Sequence, residues 1–451
     1  MAAIDSSLYQ EIEISTETTD GSGKTIDLKL GVAKLNIYED LFSPTITAQV
    51  LVVVAGGAQD NEGNRLGTVY NGLPIRGGER VKIIISPNYD GNESLNFDTP
   101  ETYLYVSNVS RQYSDEAKEI FTLDLVSREA ITNETSRVVK RYKKETLISD
   151  HVQNIVKNQL ASSIPDENID PTMNKYGFIG NLKKPFQVLV WLASKSQPAI
   201  ENSLPGYFFY QTRRGFNFRS IDSLIKLGKI KAKQDTRFQY FEVNFTPSSK
   251  IKNSGNQHIL QYNILQNNDL ITKLTLGQFS SHIMEFDPWT GQFTTEQQGK
   301  FTLNEYTKET INMGESPEYT KEVPKLLTDE TNQNLGSLPS RMITMVADRG
   351  LLDDNPTLAK NSEPVRWQRE AYFRYQLLFT QILNMVVPLN TNLSVGNIIF
   401  VEFLKSNMES TERDRRQSGN YMIKELCHHF DANQSLTSMT LIRDTFGEIS
   451  E

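Results

Sequence analysis

The chain has 451 residues, of which 38% are hydrophobic and 23% charged, and its formal net charge is −8. This length predicts two to four domains, since a domain typically spans about 100–200 residues, and the negative charge argues against a broad phosphate-binding surface. The single cysteine, Cys427, excludes an internal disulfide, and the absence of both a leader pattern and an apolar run of roughly 18–20 residues predicts a soluble protein kept in a cytoplasm.

The first third of the chain is dominated by short strand patterns separated by turns. Apolar and polar residues alternate with a period of two around 12–14, 26–30, 33–37, 45–54 and 120–127, which is the pattern of strands with one buried face. With the strand patterns at 81–85 and 103–113, this region has seven short strands, which predict a β-barrel or β-sandwich.

The period then changes. Apolar residues recur at helical spacing behind a cap candidate at Asp150, and again after Pro185. The run 207–219 returns to β character, with a turn at Gly215. We therefore expect 136–204 to be a helical insertion into a β domain.

The second half of the chain returns to sheet patterns. Aromatic and β-branched residues dominate 238–245 and 259–286, where helix caps are scarce. The polar, proline-containing stretch 300–364 predicts an insertion or interdomain arm. The stretch 367–384 has an aromatic stripe that fits a helix or a long strand.

The C-terminal stretch 385–447 has the clearest succession of strands and turns. The run 398–403 is apolar on both faces over most of its length, which predicts a buried strand. Two further runs, 421–426 and 436–443, flank a turn-rich segment and predict a hairpin.

Several separated motifs resemble one family, the central baseplate hub proteins of contractile-tailed phages, which are related in fold to the hub part of type VI secretion spike proteins. The motifs that carry the resemblance are 35–48, 72–79, 184–193, 207–218, 419–423, His428 and 437–443. The polar segment 300–364 departs from the family pattern.

The resemblance implies a mainly β fold with α+β insertions, in which each subunit carries two tube-like β-barrel domains. The implied division is 1–135 as the first barrel, completed by 205–247; 136–204 as a helical insertion; 248–300 as the first part of the second barrel; 301–375 as a loop-rich insertion or arm; and 376–451 as the closing part of the second barrel.

The resemblance also implies a function. It predicts a structural virion protein, a homotrimeric hub that adapts a threefold spike to the sixfold tail tube and nucleates tail assembly. The implied partners are the central spike protein, tail tube or tube-initiator proteins and baseplate wedge proteins, with DNA only passing through the channel and no membrane insertion. The implied location is the tail baseplate of the virion, after assembly in the host bacterial cytoplasm.

We expect partner contacts rather than catalytic, cofactor or metal residues in such a protein. The candidate interface residues are Tyr38, Phe42, Arg141, Lys144, Phe209, Phe216, Trp367, Tyr372 and Arg443.

Three stretches suggest chemistry, and each has a simpler structural interpretation. The stretch 20–25 resembles the end of a phosphate-binding P-loop, but Thr18 stands where a glycine is needed and a strand pattern follows. The stretch 427–429, Cys-His-His, lacks a second ligand cluster for a zinc site, and we expect His428 to form a hydrogen bond inside the barrel. The basic run 137–144 is interpreted as a solvated face, with contact to an acidic protein or to nucleic acid as alternatives.

Aromatic residues crowd the predicted hairpin at 207–218, where core or interface packing is favoured over base stacking. No serine nucleophile motif or paired carboxylates stand out, so we expect no enzyme activity. The alternatives are a tail-associated peptidoglycan hydrolase and a peripheral carbohydrate-binding adhesin module.

Overall fold

The computed structural model describes residues 3–16, 23–55, 58–59, 65–67, 69, 75–114, 118–200, 203–242, 255–266, 269–294, 299–302, 312–314, 335, 339–348, 361, 364–405, 412–414 and 416–445.

The described residues form a mainly β structure that also contains α-helices. The strands are β1 Leu8–Ser15, β2 Thr25–Asp27, β3 Val32–Asp40, β4 Thr47–Ala55, β5 Ala58–Gln59, β6 Arg65–Gly67, β7 Arg80–Ser86, β8 Leu95–Phe97, β9 Leu104–Ser114, β10 Lys118–Ser127, β11 Arg141–Tyr142, β12 Phe178–Ile179, β13 Tyr207–Thr212, β14 Gly215–Ser220, β15 Gln239–Phe241, β16 Gln261–Gln266, β17 Ser280–Asp287, β18 Gln292–Phe293, β19 Lys300–Thr302, β20 Arg341–Val346, β21 Gln381–Pro388, β22 Ile398–Glu402, β23 Gly419–Asp431 and β24 Ser435–Arg443. The helices are α1 Arg128–Thr135, α2 Ile148–Gln159, α3 Pro185–Lys195, α4 Ile221–Gln234, α5 Leu270–Leu276 and α6 Pro364–Leu377.

Fourteen strands form one large sheet. Its hydrogen-bonded path runs β16-β21-β24-β23-β3-β4-β10-β9-β7-β1-β2, and β22 and β8 branch from β23 and β7. The first eight strands of this path are antiparallel to their neighbours throughout, and we call them the antiparallel row. No pairing between described strands closes the path into a ring.

The antiparallel row covers two hydrophobic cores. The first core takes side chains from β3, β4, β9 and β10 on one side and from β1, β2, β7 and β8 on the other, with Val50 and Ile83 fully buried. The second core lies beneath β21, β23 and β24 and is covered by β15, β22 and α4, with Ile225 and Ile399 fully buried. The alternation seen in the sequence therefore sets which face of each strand is buried, and each buried aliphatic side chain contributes about 1.5–3 kcal/mol.

A third core lies among the residues predicted as a helical insertion, 136–204, for which we keep that name, and the hairpin that follows them. Helices α2 and α3 pack against the hairpin β13–β14, which pairs only within itself among the described strands. The prediction of two helices here is confirmed, although α2 begins at Ile148, two residues before the predicted cap at Asp150.

Residues 205–247, which we expected to complete the first barrel, pair elsewhere. One face of the hairpin β13–β14 belongs to the core of the helical insertion, whereas Phe208 and Tyr210 pack in the second core. Strand β15 pairs in parallel with β22, over the second core. Helix α4, between them, packs on the same second core through Ile221 and Ile225. The physical reason is that α4 needs an apolar surface for its buried stripe, and β22 provides it.

Two other local expectations differ from the structure. Within 259–286, the prediction of continuous sheet is wrong, because Asp269 accepts a hydrogen bond from the Thr272 amide at 3.0 Å and so caps α5, which ends at Gly277 with φ +75°. Within 367–384, the helix α6 ends at Leu377 and β21 begins at Gln381. That stretch therefore contains a helix and a strand in succession.

Most of 300–364 lies outside the described residues, but one described part is packed into the second core. The Met313 side chain is fully buried, and its amide donates to the Asp444 carboxylate at 3.0 Å. The Lys229 ammonium donates to the carbonyl oxygens of Asn312 and Gly314 at 3.1 and 3.0 Å. This part of the segment is therefore held by polar contacts on both sides of one apolar anchor.

Candidate functional site

The antiparallel row presents a polar face on the side opposite the two cores. Along β3, for example, Leu35 and Ile37 are buried while Lys34 and Tyr38 are exposed, since successive side chains of a strand point to opposite faces. The same alternation continues into the neighbouring strands on both sides. The outcome is a surface about eight strands wide.

Side chains on this polar face bond across neighbouring strands. The Asp124 carboxylate on β10 accepts from the amides of Gln49 on β4 and Asn108 on β9, both at 2.9 Å. On β24, the Thr440 hydroxyl lies 3.0 Å from the Glu425 carboxylate and 3.1 Å from the Asn384 amide oxygen. These cross-strand bonds fix the orientation of the side chains, so the surface is preorganised.

A groove of about 690 Å³ crosses the middle of the polar face. It spans the junction between β3 and β23, where the two halves of the sheet meet, and Tyr38 and Glu425 line it. Partial burial of the Tyr38 phenol and the nearby Cys427 raise its pKa, so Tyr38 stays neutral. The groove offers hydrogen-bonding groups and little positive charge.

Both ends of the antiparallel row have open backbone edges. Strand β16 pairs with β21 on one side, and no described strand pairs with its other side. At the opposite end, β7 pairs with β9 only at Leu104 and Tyr105. Residues 107–110 of β9 therefore pair with β10 alone among the described strands. Exposed apolar side chains, Leu260, Ile264 and Leu265, accompany the β16 edge. Open edges of this kind are sites for pairing with another chain.

Six of the predicted interface residues are at least partly accessible, but they lie on different parts of the molecule. Tyr38 and Phe42 are 38% and 41% exposed, and Tyr38 lies on the polar face while Phe42 packs edge-on against Phe208 at 5.1 Å. Trp367 and Tyr372 are half-buried on α6, and the Tyr372 hydroxyl donates to the Leu276 carbonyl at 3.3 Å.

The other two accessible candidates, Arg141 and Lys144, lie on the helical insertion, Arg141 in β11 and Lys144 just beyond it. The structure therefore does not bring the six into one surface.

The remaining three candidates are buried within the chain. Phe209 and Phe216 stack on each other in the core of the helical insertion, with their ring centroids 5.3 Å apart. The Arg443 guanidinium, 2% exposed, donates to the Ser418 carbonyl at 3.1 Å and lies over the Tyr421 ring. These three side chains contact other groups inside the chain. They therefore stabilise the interior and do not form a partner surface.

The Cys-His-His stretch divides between the two faces of β23. Cys427 and His429 lie on the polar face, whereas His428 points into the interior, with its Nδ1 atom 3.1 Å from the Thr437 hydroxyl oxygen. Burial lowers the pKa of His428 to about 3 and raises that of Cys427 to about 11. In the part of the chain that the structure describes, no three His, Cys, Asp or Glu side chains are grouped to hold a metal ion.

Sequence reasoning missed the amide and carboxylate residues of the polar face. Gln49, Asn108 and Asp124 stand at outward positions of strands that the alternation had already identified. The signal was therefore present, but the contact between β9, β10 and β4 depends on pairings that a local pattern does not specify.

No protein-family model matches the chain. Over 313 residues it is 21% identical to a probable baseplate hub protein of Vibrio phage KVP40, a match that covers 67% of each protein. Among solved structures, the 43 kDa tail protein of prophage MuSo2 from Shewanella oneidensis aligns with a TM-score of 0.50 and 10% identity, over 96% of this chain and 98% of that one. A PdpA–VgrG complex aligns with a TM-score of 0.47 and 8% identity, over 100% of this chain and 67% of the matched chain.

The match to the phage KVP40 protein and the match to the Shewanella oneidensis structure agree with the resemblance drawn from the motifs. The first of these proteins is named as a probable baseplate hub protein, and the second, which has a similar fold, is named as a tail protein. No helix within the described ranges is long and apolar enough to cross a membrane. The chain is therefore similar in sequence to a probable phage baseplate hub protein and similar in fold to a phage tail protein.

Proposed function

We propose that three copies of the chain form a closed ring in which β16 of each copy pairs with β9 of the next. The observation that supports this is the open edge at each end of the antiparallel row. Eight strands alternate in direction from β16 to β9, so β9 of one copy runs antiparallel to β16 of a neighbour in the same orientation. A head-to-tail interface of this kind closes into a ring with cyclic symmetry.

The same arrangement accounts for a match between threefold and sixfold partners. Each copy contributes four strands over the first core and four over the second, so three copies present six similar four-stranded units. At about 4.8 Å between strands, twenty-four strands give a circumference of roughly 115 Å and a backbone diameter of about 37 Å before tilt widens it. In this proposal each core belongs to one tube-like barrel domain, and 136–204 and 301–375 are insertions outside the ring.

The polar face then lines the channel. Its charged side chains include the carboxylates of Asp124 and Glu425 and the ammonium of Lys34, and uncharged amides such as Asn108 and Asn384 lie on the same face. A surface on which carboxylates accompany the cationic side chain does not hold the phosphate backbone, which a cluster of cationic side chains would bind. Such a lining permits DNA to pass without being retained.

We further propose that the ring is the homotrimeric baseplate hub, assembled in the host cytoplasm. It would bind the central spike on one side and tail tube or tube-initiator proteins on the other, contact the baseplate wedge proteins, and nucleate tail assembly. The supporting observations are the relative named as a baseplate hub protein and the tail-protein fold.

The oligomeric state tests the ring directly. We expect purified protein to have the mass of three chains in light scattering, alone or with spike and tube proteins. Leu265 is 54% exposed at the β16 edge. A lysine at this position should leave the fold of the single chain intact but oppose strand pairing between copies. Leu265→Lys should therefore yield monomers.

A matched control is available on the helical insertion. Val190 is 45% exposed on α3, away from both edges, so Val190→Lys should leave the trimer intact. A protein that stays monomeric under all these conditions, or a dimer that pairs β16 with β16, would contradict the proposal.

We propose a structural rather than an enzymatic role. A cell-wall zymogram should show no cleared band, and a cleared band would contradict a purely structural function. The supporting observation is that the similar proteins are named as hub and tail proteins.

A further inference from the structure

A second cavity lies away from the polar face of the sheet. It has a volume of about 180 Å³ and is bounded by the hairpin β13–β14, helix α4 and the turn 394–397. The side chains that matter for its chemistry are Arg214, Asn217, Arg219, Lys231, Ser394 and Asn397.

The cavity is electropositive in a chain of net negative charge. Arg214, Arg219 and Lys231 line it, and no acidic side chain occurs among the described residues of its wall. The carboxylates that pair with the two arginines lie outside the wall: Glu93 is 2.9 Å from Arg214, and Asp170 is 3.3 Å from Arg219. These pairs hold the guanidinium groups in place.

Lys231 is the cation that internal contacts satisfy least. Its ammonium lies over the Phe238 ring, 4.2 Å from the centroid, and forms no ion pair with a described carboxylate. Partial burial and the neighbouring Arg214 guanidinium lower the pKa of Lys231. An anion bound beside it would relieve that repulsion.

The opposite wall contains a buried hydroxyl that lacks a partner. Ser394 is 6% exposed, and its Oγ atom has no hydrogen-bond partner among the described residues. A buried unsatisfied hydroxyl is costly, about 1–3 kcal/mol. The turn that carries it is fixed, because the Ser394 amide donates to the Asn397 side-chain oxygen at 3.0 Å.

We infer that this cavity is a binding site for an oxyanion, either a phosphate group or a carboxylate. The arginine and lysine side chains supply charge-assisted donors, and the Ser394 hydroxyl supplies a neutral one. The volume accommodates one such group with its hydrogen-bond donors around it. Arginine forks and a lysine ammonium both suit oxyanions, so the ligand could be free phosphate or a carboxylate of a protein that docks at this end of the hairpin.

Equilibrium dialysis of the intact protein against radiolabelled inorganic phosphate, at constant ionic strength, tests the inference. A parallel measurement uses radiolabelled acetate in place of phosphate. We expect saturable binding of at least one probe at one site per chain. Binding of phosphate alone would indicate a free-phosphate site, and binding of acetate alone would indicate a site for a protein carboxylate.

Two variants and one matched control connect the binding to the cavity. Lys231→Met should weaken binding about tenfold, the effect of losing one charge-assisted contact. Lys233 is exposed, as Lys231 is, and lies on the same helix but outside the cavity wall. Lys233→Met therefore removes the same charge and should leave binding unchanged. Ser394→Ala, which keeps all charges, should weaken binding a fewfold.

Several results would overturn the inference. Failure of both probes to reach saturation would exclude an oxyanion site. Equal losses in Lys231→Met and Lys233→Met would show that the effect is general charge attraction. If circular dichroism shows that Lys231→Met is unfolded, Ser394→Ala becomes the deciding variant. Unchanged binding by Ser394→Ala would then overturn the inference.

Discussion

His428 should make the stability of this protein depend on pH, and the direction follows from its burial. Its side chain is 1% exposed, and burial, with a contribution from Arg213, lowers its pKa from 6.5 to about 3. As the pH falls below about 6.5, the His428 side chain binds a proton in the unfolded chain but stays neutral in the folded chain. Stability contributed by this group is therefore complete above pH 6.5 and is lost progressively down to about pH 3.

The magnitude follows from one proton per chain. His428 alone should lower the free energy of unfolding by about 1.4 kcal/mol for each pH unit below about 6.5, or roughly 2 kcal/mol by pH 5. Burial also lowers the pKa values of His151 and His429, which add slopes of the same sign. Two buried carboxyls, those of Glu39 and Asp444, also titrate differently in the folded chain, because burial raises their pKa values. Their contribution has the opposite sign, since a raised carboxyl pKa favours the folded state at low pH.

The assay is urea unfolding at a fixed protein concentration between about pH 7.5 and pH 5, comparing the native chain with His428→Asn. Asparagine retains a polar atom near the Thr437 hydroxyl, which lies 3.1 Å from the histidine ring in the native protein. The variant should lose most of the slope that His428 contributes. His429→Asn, at a half-buried position on the other face of β23, should alter the slope less. A His428→Asn variant that retains the native slope would refute the reasoning.

Three further substitutions test the packing of the helices. Arg374→Met should lower the free energy of unfolding by about 3–5 kcal/mol in urea titration, because it leaves the buried Asp222 carboxylate without its ion-pair partner; a loss below about 1 kcal/mol would contradict this. Gly228→Ala should lower the free energy of unfolding by about 1–3 kcal/mol, because an added Cβ would overlap the Ile398 side chain. A thermal midpoint equal to the native one would argue against that contact. Phe216→Ala should lower the free energy of unfolding by about 3–5 kcal/mol and reduce the near-ultraviolet circular dichroism signal. Native values of both quantities would show that the core of the insertion does not depend on the Phe216 side chain.

Local patterns predicted the buried faces of the strands well. On β4, Val50 and Val52 are fully buried while Gln49 is half-buried, as the alternation indicated. The opposite orientations of Cys427 and His428 followed from the same period. The reason is that the alternation of side chains is a property of the extended backbone itself and requires no knowledge of neighbouring strands.

Patterns of mixed character were harder to interpret. The short helix α5 interrupts a stretch whose β-branched and aromatic residues favour strand, and its cap at Asp269 is one residue among many polar ones. Phe209 and Phe216 were considered for an interface because aromatic side chains suit both cores and interfaces. Only their positions on the face of the hairpin that packs against α3 showed that they pack internally.

The sequence by itself indicated many of the strands, the two helices of the insertion, the apolar face of each of those strands, and the resemblance of separated motifs to phage hub proteins. Only the tertiary structure decided which strands are neighbours: β3 pairs with β23, so Tyr38 lies opposite Cys427, and β15 pairs with β22. The open edges of the antiparallel row and the electropositive cavity both depend on such pairings. Periodicity is local, whereas a partner strand hundreds of residues away is selected by the joint burial of two apolar faces, and no single segment encodes that choice.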